Sequence, residues 1–198
     1  MQQYTQQWWQ NVQPIMDQLG KIAWPSGSPP PMNMLEIGSF EGMSSRWLLE
    51  NWLTHESSTL TCIDSWAGGI EHQNEDYNFK EIEERFNHNL KPYAHKILKI
   101  KGTSIDGLSY LRANGKMFHA AYIDGGHRAR DVIVDLVLSH EVMLPGALVV
   151  CDDYMWLSPD GNPFNAPKPA IDAFMHIYNK EISPVHDLPN RVMCWIKA

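Results

Sequence analysis

Apolar and polar residues alternate in blocks along this chain, and the block lengths predict strands and helices in regular succession. Five short apolar runs read as strands: MLEIGS, TLTCIDS, HKILKIKGTS, FHAAYIDGG and GALVVCDD. Four intervening segments have helical spacing: SSRWLLENWLTH, KEIEERFNHNL, SIDGLSYLRANG and ARDVIVDLVLSHEVML. Near-continuous apolar strands separated by helices indicate a parallel sheet covered on both faces, which is the α/β class.

The N-terminal segment shows a different pattern, a single apolar stripe. Its members recur at near-helical spacing: Tyr4, Trp8, Val12, Met16 and Leu19. This stripe predicts an N-terminal helix that Pro14 kinks or splits. Trp9 lies off the stripe, and we expect it to cap the edge of the core rather than to face a substrate.

The C-terminal segment predicts one more helix, KPAIDAFMHIYNK, followed by EISPVHD and RVMCWIKA. The last two read as a closing antiparallel hairpin. We therefore predict one domain over residues 1–198, with a helical extension at 1–30 and a core at 31–198. That core is a Rossmann-like, seven-stranded, mostly parallel sheet with helices on both faces.

Charge and composition narrow the function classes. The 198 residues carry a net charge of -7 without a basic stripe, which argues against nucleic acid as a partner. The chain shows neither a secretory signal nor an apolar run long enough for a bilayer, so we expect a soluble, cytoplasmic protein without membrane contact. Three widely spaced cysteines predict buried thiols rather than disulfides or a zinc site.

Acidic residues stand at the ends of four predicted strands. They are Glu36, Asp64, Asp124, Asp152 and Asp153. In an open α/β sheet, ligands bind in the crevice beyond the carboxyl ends of the strands. One aspartate there often only caps a helix or starts a turn, but four strands that end this way indicate a binding site.

The turn after the first strand, EIGSFEGMSS, contains Gly38 and Gly42 and lacks the GxGxxG pattern of dinucleotide-binding proteins. An acid at Glu36 beside this turn favours a cationic ligand. Asp64 is placed to accept hydrogen bonds from a ribose diol. Trp66 either stacks on an adenine or is a buried wedge.

With these motifs, the chain resembles class I S-adenosylmethionine-dependent methyltransferases. It is most similar to the small bacterial O-methyltransferases that carry YIDGxH at one strand end and DDY at a later one. The resemblance runs from Met34 to Lys197 and includes KPAIDAF. It implies S-adenosylmethionine as the cofactor and a hydroxyl of a small molecule, such as a sugar, a phenol or a natural-product intermediate, as the acceptor.

The resemblance also implies which residues bind the cofactor. The turn after the first strand would hold the methionine part, the second strand's acid the ribose, and the segment after the third strand the adenine. The implied set is Glu36, Gly38, Ser39, Phe40, Ser44, Asp64, Ser65, Trp66, Gly102, Thr103, Ser104, Asp124 and His127.

Three carboxylates in one crevice would repel each other, and a divalent cation relieves that repulsion. Asp124, Asp152 and Asp153 therefore form a candidate metal site. Oxygen ligands favour Mg²⁺, with Mn²⁺ or Ca²⁺ as alternatives. The resemblance to metal-dependent catechol and sugar methyltransferases agrees with this set. The alternative is that the three acids only form turns or pair with a lysine.

His127 stands where the catechol-type relatives carry a catalytic lysine. A histidine suits a general base near neutral pH, so His127 and Asp124 are the predicted catalytic residues. Contact with the cofactor is the alternative role for His127. Arg128 and Arg130 follow in GGHRAR, where either could bind an acidic substrate or lie on the helix surface.

Two long loops are expected to overhang the crevice, WAGGIEHQNEDYNF and YMWLSPDGNPFNAPK. Tyr154 and Trp156 in the second loop are candidate walls for a ring-shaped acceptor. The competing functions are a metal-independent N-methyltransferase and a catalytically silent cofactor-binding or partner-binding domain. A nicotinamide dehydrogenase is disfavoured by the glycine pattern. For a homodimer, the tryptophan-bearing N-terminal helix is the expected contact surface.

Overall fold

The computed structural model describes residues 2–68, 78–186, 188–189 and 191–198. The strands are β1 (Asn33–Ile37), β2 (Thr59–Asp64), β3 (Ile97–Lys101), β4 (Phe118–Ile123), β5 (Met143–Cys151), β6 (Ile182–Pro184) and β7 (Met193–Lys197). The α-helices are α1 (Gln13–Ala23), α2 (Met43–Asn51), α3 (Phe79–Leu90), α4 (Ser104–Ala113), α5 (Ala129–Glu141) and α6 (Lys168–Ile177). Short 3-10 turns lie at Trp8–Asn11, Lys91–Lys96 and Pro163–Asn165.

The strands form one sheet in the order β3-β2-β1-β4-β5-β7-β6. Strands β1 to β5 are parallel to each other, and β7 is antiparallel to both β5 and β6. The predicted α/β class, with a Rossmann-like, mostly parallel sheet and a closing antiparallel hairpin, is confirmed. The sequence pattern did not indicate that β7 enters the sheet between β5 and β6.

Each face of the sheet has its own hydrophobic core. On β1, the adjacent residues Met34 and Leu35 are both fully buried but belong to opposite cores, as the two-residue period of a strand requires. Helices α1, α2 and α3 cover the Met34 side, and α4, α5 and α6 cover the Leu35 side. This two-sided burial explains the near-continuous apolar runs in the strands.

The prediction of a helix from Tyr4 is wrong for residues 4–7. The backbone N–H of Thr5 donates to Glu41 Oε2 at 2.7 Å, and that of Gln3 donates to Asn89 Oδ1 at 2.8 Å. These side chains satisfy backbone donors that a helix would use internally. Residues 2–7 therefore run as a strap across the turn after β1. Helix α1 begins at Gln13 with Pro14 in its first turn, where a missing N–H is tolerated.

The two tryptophans that follow the strap, in the 3-10 turn Trp8–Asn11, differ in burial. Trp9 is only 6% exposed and packs 5.4 Å, between ring centroids, from both Trp47 and Tyr122. It therefore lies deeper than the core edge that the sequence predicted. Trp8 is 46% exposed and packs on Phe40. Among the described residues, no helix is both long enough and apolar enough to cross a bilayer.

Strands β1 and β4 are neighbours in the sheet, yet the helices that follow them cover opposite faces. The connections therefore diverge at the carboxyl ends of these strands and leave a crevice between them. The acids at the ends of β1, β2, β4 and β5 are thereby brought to one edge of the sheet.

Candidate functional site

A cavity of about 790 Å³ opens at the carboxyl ends of β1, β2, β4 and β5. Its volume is within the range of small-molecule sites. All but one of the predicted site residues line it: Gly38, Ser39, Phe40, Ser44, Asp64, Ser65, Trp66, Gly102, Thr103, Ser104, Asp124, His127, Asp152 and Asp153. The exception is Glu36. The 3-10 turn Trp8–Asn11 adds Trp8 and Trp9 to the wall.

Gly38 permits the close approach of β1 and β4 at the floor of the cavity. Its φ is +83°, and a Cβ at this position would lie 1.8 Å from the carbonyl oxygen of Asp124. Any side chain would therefore both strain the backbone and collide with the β4 turn. The glycine that the sequence singled out is required here by the shape of the chain.

Glu36 supports this turn from below. Its side chain is fully buried, and its carboxylate accepts hydrogen bonds from three hydroxyls, those of Ser39 at 2.6 Å, Ser44 at 2.7 Å and Ser45 at 2.5 Å. Burial raises the pKa of Glu36, and the serine hydroxyls oppose that rise. Its carboxylate fixes the turn after β1 and does not reach the described cavity surface.

Asp64 joins the turns after β1 and β2. Its Oδ2 accepts from the backbone N–H of Ser39 at 2.8 Å and of Phe40 at 2.9 Å, and its Oδ1 accepts from that of Trp66 at 2.7 Å. Trp66 is 4% exposed, and its indole N–H donates to the Phe40 carbonyl at 2.9 Å. Trp66 is therefore a buried residue of the cavity wall, and its contact with an adenine stays a prediction.

The segment after β3 borders the cavity at the start of α4. Thr103 caps that helix, with its hydroxyl accepting from Asp106 N at 3.2 Å. Ser104 donates to Asp135 Oδ1 at 2.5 Å. Asp135 comes from α5, is 3% exposed and also lines the cavity. Burial raises the pKa of Asp135 to about 7. Sequence reasoning missed it, although an acid within the apolar stretch VIVDLVL was a usable signal.

At the ends of β4 and β5, ligand atoms of Asp124, His127 and Asp153 lie within 4.8 Å of one another. His127 Nε2 is 2.7 Å from Asp153 Oδ2. Asp152 is more deeply buried, at 4% exposed. Its Oδ2 accepts from the Tyr122 hydroxyl at 2.5 Å, and its Oδ1 from the backbone N–H of Asp153 at 2.7 Å. The cluster that the structure forms thus contains two of the three predicted metal ligands together with His127, and Asp152 is hydrogen-bonded beside it.

The negative charges of these carboxylates repel one another. Burial raises the pKa of Asp124 well above its usual range, and the charges of Asp152 and Asp153 raise it further. Burial and the charge of Asp153 also raise the pKa of Asp152. Carboxylate oxygens and an imidazole are ordinary ligands of divalent cations, and such a cation relieves this repulsion. The residues present therefore fit a divalent metal.

Among the described residues, three that are not glycine have a positive φ, and all three line the cavity. They are Phe40 at 46°, Trp66 at 45° and Asp153 at 56°. Such conformations cost of order 1–3 kcal/mol each and concentrate at functional sites. Their positions agree with a binding role for this crevice.

The acceptor-side predictions have mixed outcomes. Trp156 lines the cavity, with its ring centroid 4.7 Å from that of His127. Tyr154 instead donates to Asp172 Oδ1 at 2.7 Å, on the outside of α6. Arg128 pairs with Asp131 at 2.6 Å, and Arg130 is 72% exposed. In the other predicted loop, residues 69–77 lie outside the described part of the chain.

Comparisons with known proteins agree with this fold. A family model described as a methyltransferase domain matches residues 35–154, which is more than half of the chain. The chain therefore belongs to this family of methyltransferase domains. The resemblance to class I S-adenosylmethionine-dependent methyltransferases is confirmed at the level of family and fold.

Solved structures with the same fold include three O-methyltransferases. TomG from Streptomyces achromogenes is 17% identical, with 93% of this chain and 78% of that chain covered and a TM-score of 0.63. An O-methyltransferase from Bacillus cereus is 16% identical, with 94% and 81% covered and a TM-score of 0.64. NovP is 16% identical, with 95% and 79% covered and a TM-score of 0.65. No curated protein sequence matches this chain significantly.

Proposed function

We propose that this protein transfers a methyl group from S-adenosylmethionine to a hydroxyl of a small molecule, assisted by a divalent cation. One observation carries the proposal: the predicted cofactor turns and the cluster of Asp124, His127 and Asp153 line the same cavity. TomG and the Bacillus cereus protein, which share the fold, were solved with S-adenosylmethionine and S-adenosylhomocysteine respectively.

The cofactor would lie along the ends of β1, β2 and β3. Gly38, Ser39 and Phe40 line the part of the cavity where its methionine part would lie, and Asp64 is the acid proposed to contact the ribose. Gly102, Thr103 and Ser104 border the adenine position. Glu36 and Asp135 act through these residues, because each fixes one of the turns by hydrogen bonds.

The cation would be held by Asp124 and Asp153, and Asp152 would support them by accepting the hydrogen bond from the Asp153 N–H. When bound, a divalent cation lowers the pKa of a nearby hydroxyl. His127 is the proposed base. Its Nε2 lies 2.7 Å from Asp153 Oδ2, and this carboxylate would orient the imidazole and stabilise the imidazolium that forms when the hydroxyl proton is taken up. Trp156 packs beside the His127 ring, with 4.7 Å between the ring centroids, and would limit the access of water to it.

The acceptor is proposed to be a small ring-bearing molecule. Trp156 and Trp8 both line the cavity, and aromatic walls favour flat rings and sugar faces. Such walls suit phenols and sugars alike, so the acceptor test covers both.

Binding and turnover test the proposal separately. Calorimetry should show S-adenosylhomocysteine binding, and labelled S-adenosylmethionine should transfer its methyl group to at least one phenol or sugar in a panel. We expect Mg²⁺ to support this transfer and chelator to abolish it. Asp124→Asn should lose transfer, whereas Asp172→Asn, in an exposed ion pair, should not. Transfer that persists in chelator would favour the metal-independent alternative.

A further inference from the structure

The acidic cluster at the ends of β4 and β5 already contacts a cation of the chain's own, Arg191. Its Nη2 lies 3.2 Å from Asp153 Oδ1, and its Nε lies 3.5 Å from Asp152 Oδ1. Among the described residues that line the cavity, Arg191 is the only arginine or lysine. A single guanidinium therefore lies near three carboxylates and the His127 imidazole.

The backbone of Arg191 is anchored, but its side chain is not enclosed. The Tyr154 N–H donates to the Arg191 carbonyl at 2.8 Å, and the next residue, Val192, is 2% exposed. The side chain of Arg191 is 34% exposed and borders the open cavity. Because this exposed part borders the cavity, we expect the guanidinium to leave the acids by rotation of its side chain while the backbone stays anchored.

An arginine and a metal ion compete for the same oxygen atoms. Asp153 offers one oxygen to His127 and the other to Arg191. A divalent cation that binds Asp153 must replace at least one of these partners or accept a nearby positive charge. Either outcome weakens its binding, because like charges repel strongly where solvent is partly excluded.

We infer that Arg191 is a resident counter-cation. It stabilises the acidic cluster when no metal is bound, and a divalent cation displaces it from Asp153. This inference rests on the metal part of the proposed function and goes beyond it, because it assigns Arg191 the role of setting metal affinity. The protein would then bind its metal weakly and exchange it readily, while keeping the acids ordered in between.

Binding of Mn²⁺, followed by electron paramagnetic resonance of the free ion, tests this inference. Arg191→Gln should bind Mn²⁺ at least about tenfold more tightly than the wild type, because a like charge is removed from the site. Arg191→Lys, which keeps the charge, should stay near the wild type. Arg112→Gln is the matched control: it removes an exposed arginine that pairs with Glu141, and it should change nothing.

Thermal unfolding gives a second readout that does not depend on activity. In chelator, Arg191→Gln should melt below the wild type, because three carboxylates lose their counter-charge. Saturating Mn²⁺ should raise its melting temperature more than it raises that of the wild type. Asp153→Asn combined with Arg191→Gln should lose most of the gain in affinity, since the contested oxygen is gone.

The outcomes separate this inference from the proposed function. If the wild type and Arg191→Gln bind Mn²⁺ equally, or the variant binds it more weakly, the counter-cation role is overturned while the metal site stands. If neither binds Mn²⁺ but both bind S-adenosylhomocysteine, the inference and the metal part of the proposal are overturned together. Loss of S-adenosylhomocysteine binding from the wild type would instead overturn the proposed function itself.

Discussion

At the scale of single residues, three buried acids around the site each accept a hydrogen bond from at least one hydroxyl group. Glu36 has three serines, Asp135 has Ser104, and Asp152 has Tyr122. Hydrogen bonds of this kind stabilise a carboxylate where solvent cannot. The oxygen atoms of these acids are already hydrogen-bonded within the protein, so these acids fix the shape of the site rather than bind a ligand.

His127 differs from these residues because it lines the cavity and contacts an acid of the cluster. His127→Gln should reduce methyl transfer by about 10²- to 10⁴-fold, since a positioned base contributes that much, and should leave S-adenosylhomocysteine affinity within a few-fold. Steady-state kinetics and calorimetry measure the two effects. The exposed His176→Gln on α6 is the control. Unchanged turnover in His127→Gln would remove the histidine from the mechanism.

The raised pKa of Asp135 has a consequence for stability. In the folded protein the pKa of this carboxyl is about 7, and unfolding returns it to its usual value near 3.8. The folded state therefore keeps a proton that the unfolded state loses, and stability falls as pH rises from about 4 to about 7. Above pH 7 the effect is constant.

Asp135→Asn should remove this pH dependence. From pH 5 to pH 8, the difference in unfolding free energy between the variant and the wild type should shift in favour of the variant by on the order of 2–3 kcal/mol. Urea unfolding at both pH values measures the difference. An equal difference between variant and wild type at the two pH values would show that Asp135 is ionised normally in the folded protein.

At the scale of elements, the turn between β1 and α2 is the most constrained connection in the site. Gly38→Ala should be strongly destabilised and lose S-adenosylhomocysteine binding, because a Cβ would lie 1.8 Å from the Asp124 carbonyl. Gly146 is the matched control: its φ is +81°, but a Cβ there would meet nothing within 4 Å. Gly146→Ala should cost only about 1 kcal/mol of backbone strain. Urea unfolding and calorimetry compare the two, and equal losses would contradict the collision.

The elements that the sequence predicted correctly are those whose burial repeats along the chain. The runs in β1 to β5 are apolar because both faces of the sheet are covered, and that pattern is visible in the residues themselves. The strap at residues 2–7 could not be predicted in this way. Its conformation depends on Glu41 and Asn89, which are distant in sequence and satisfy its backbone donors only after the chain has folded.

At the scale of the whole molecule, the sheet order explains which parts of the site were visible in the sequence. Acids at strand ends could be identified because parallel strands present those ends at one edge. Asp135 and Arg191 were missed, because they reach the same cavity from a helix and from the segment before β7. The position of β7 beside β5 brings Arg191 to Asp152 and Asp153, and that pairing appears only in the assembled sheet.

The most direct test of the account is a crystal structure with S-adenosylhomocysteine and Mn²⁺, measured for the anomalous signal of manganese. The account predicts one anomalous peak in the cavity, within bonding distance of the Asp124 and Asp153 carboxylates and beside the sulfur of the bound nucleoside. A structure in which S-adenosylhomocysteine fills the cavity, Arg191 stays on Asp153 and no manganese peak lies among these carboxylates would contradict it.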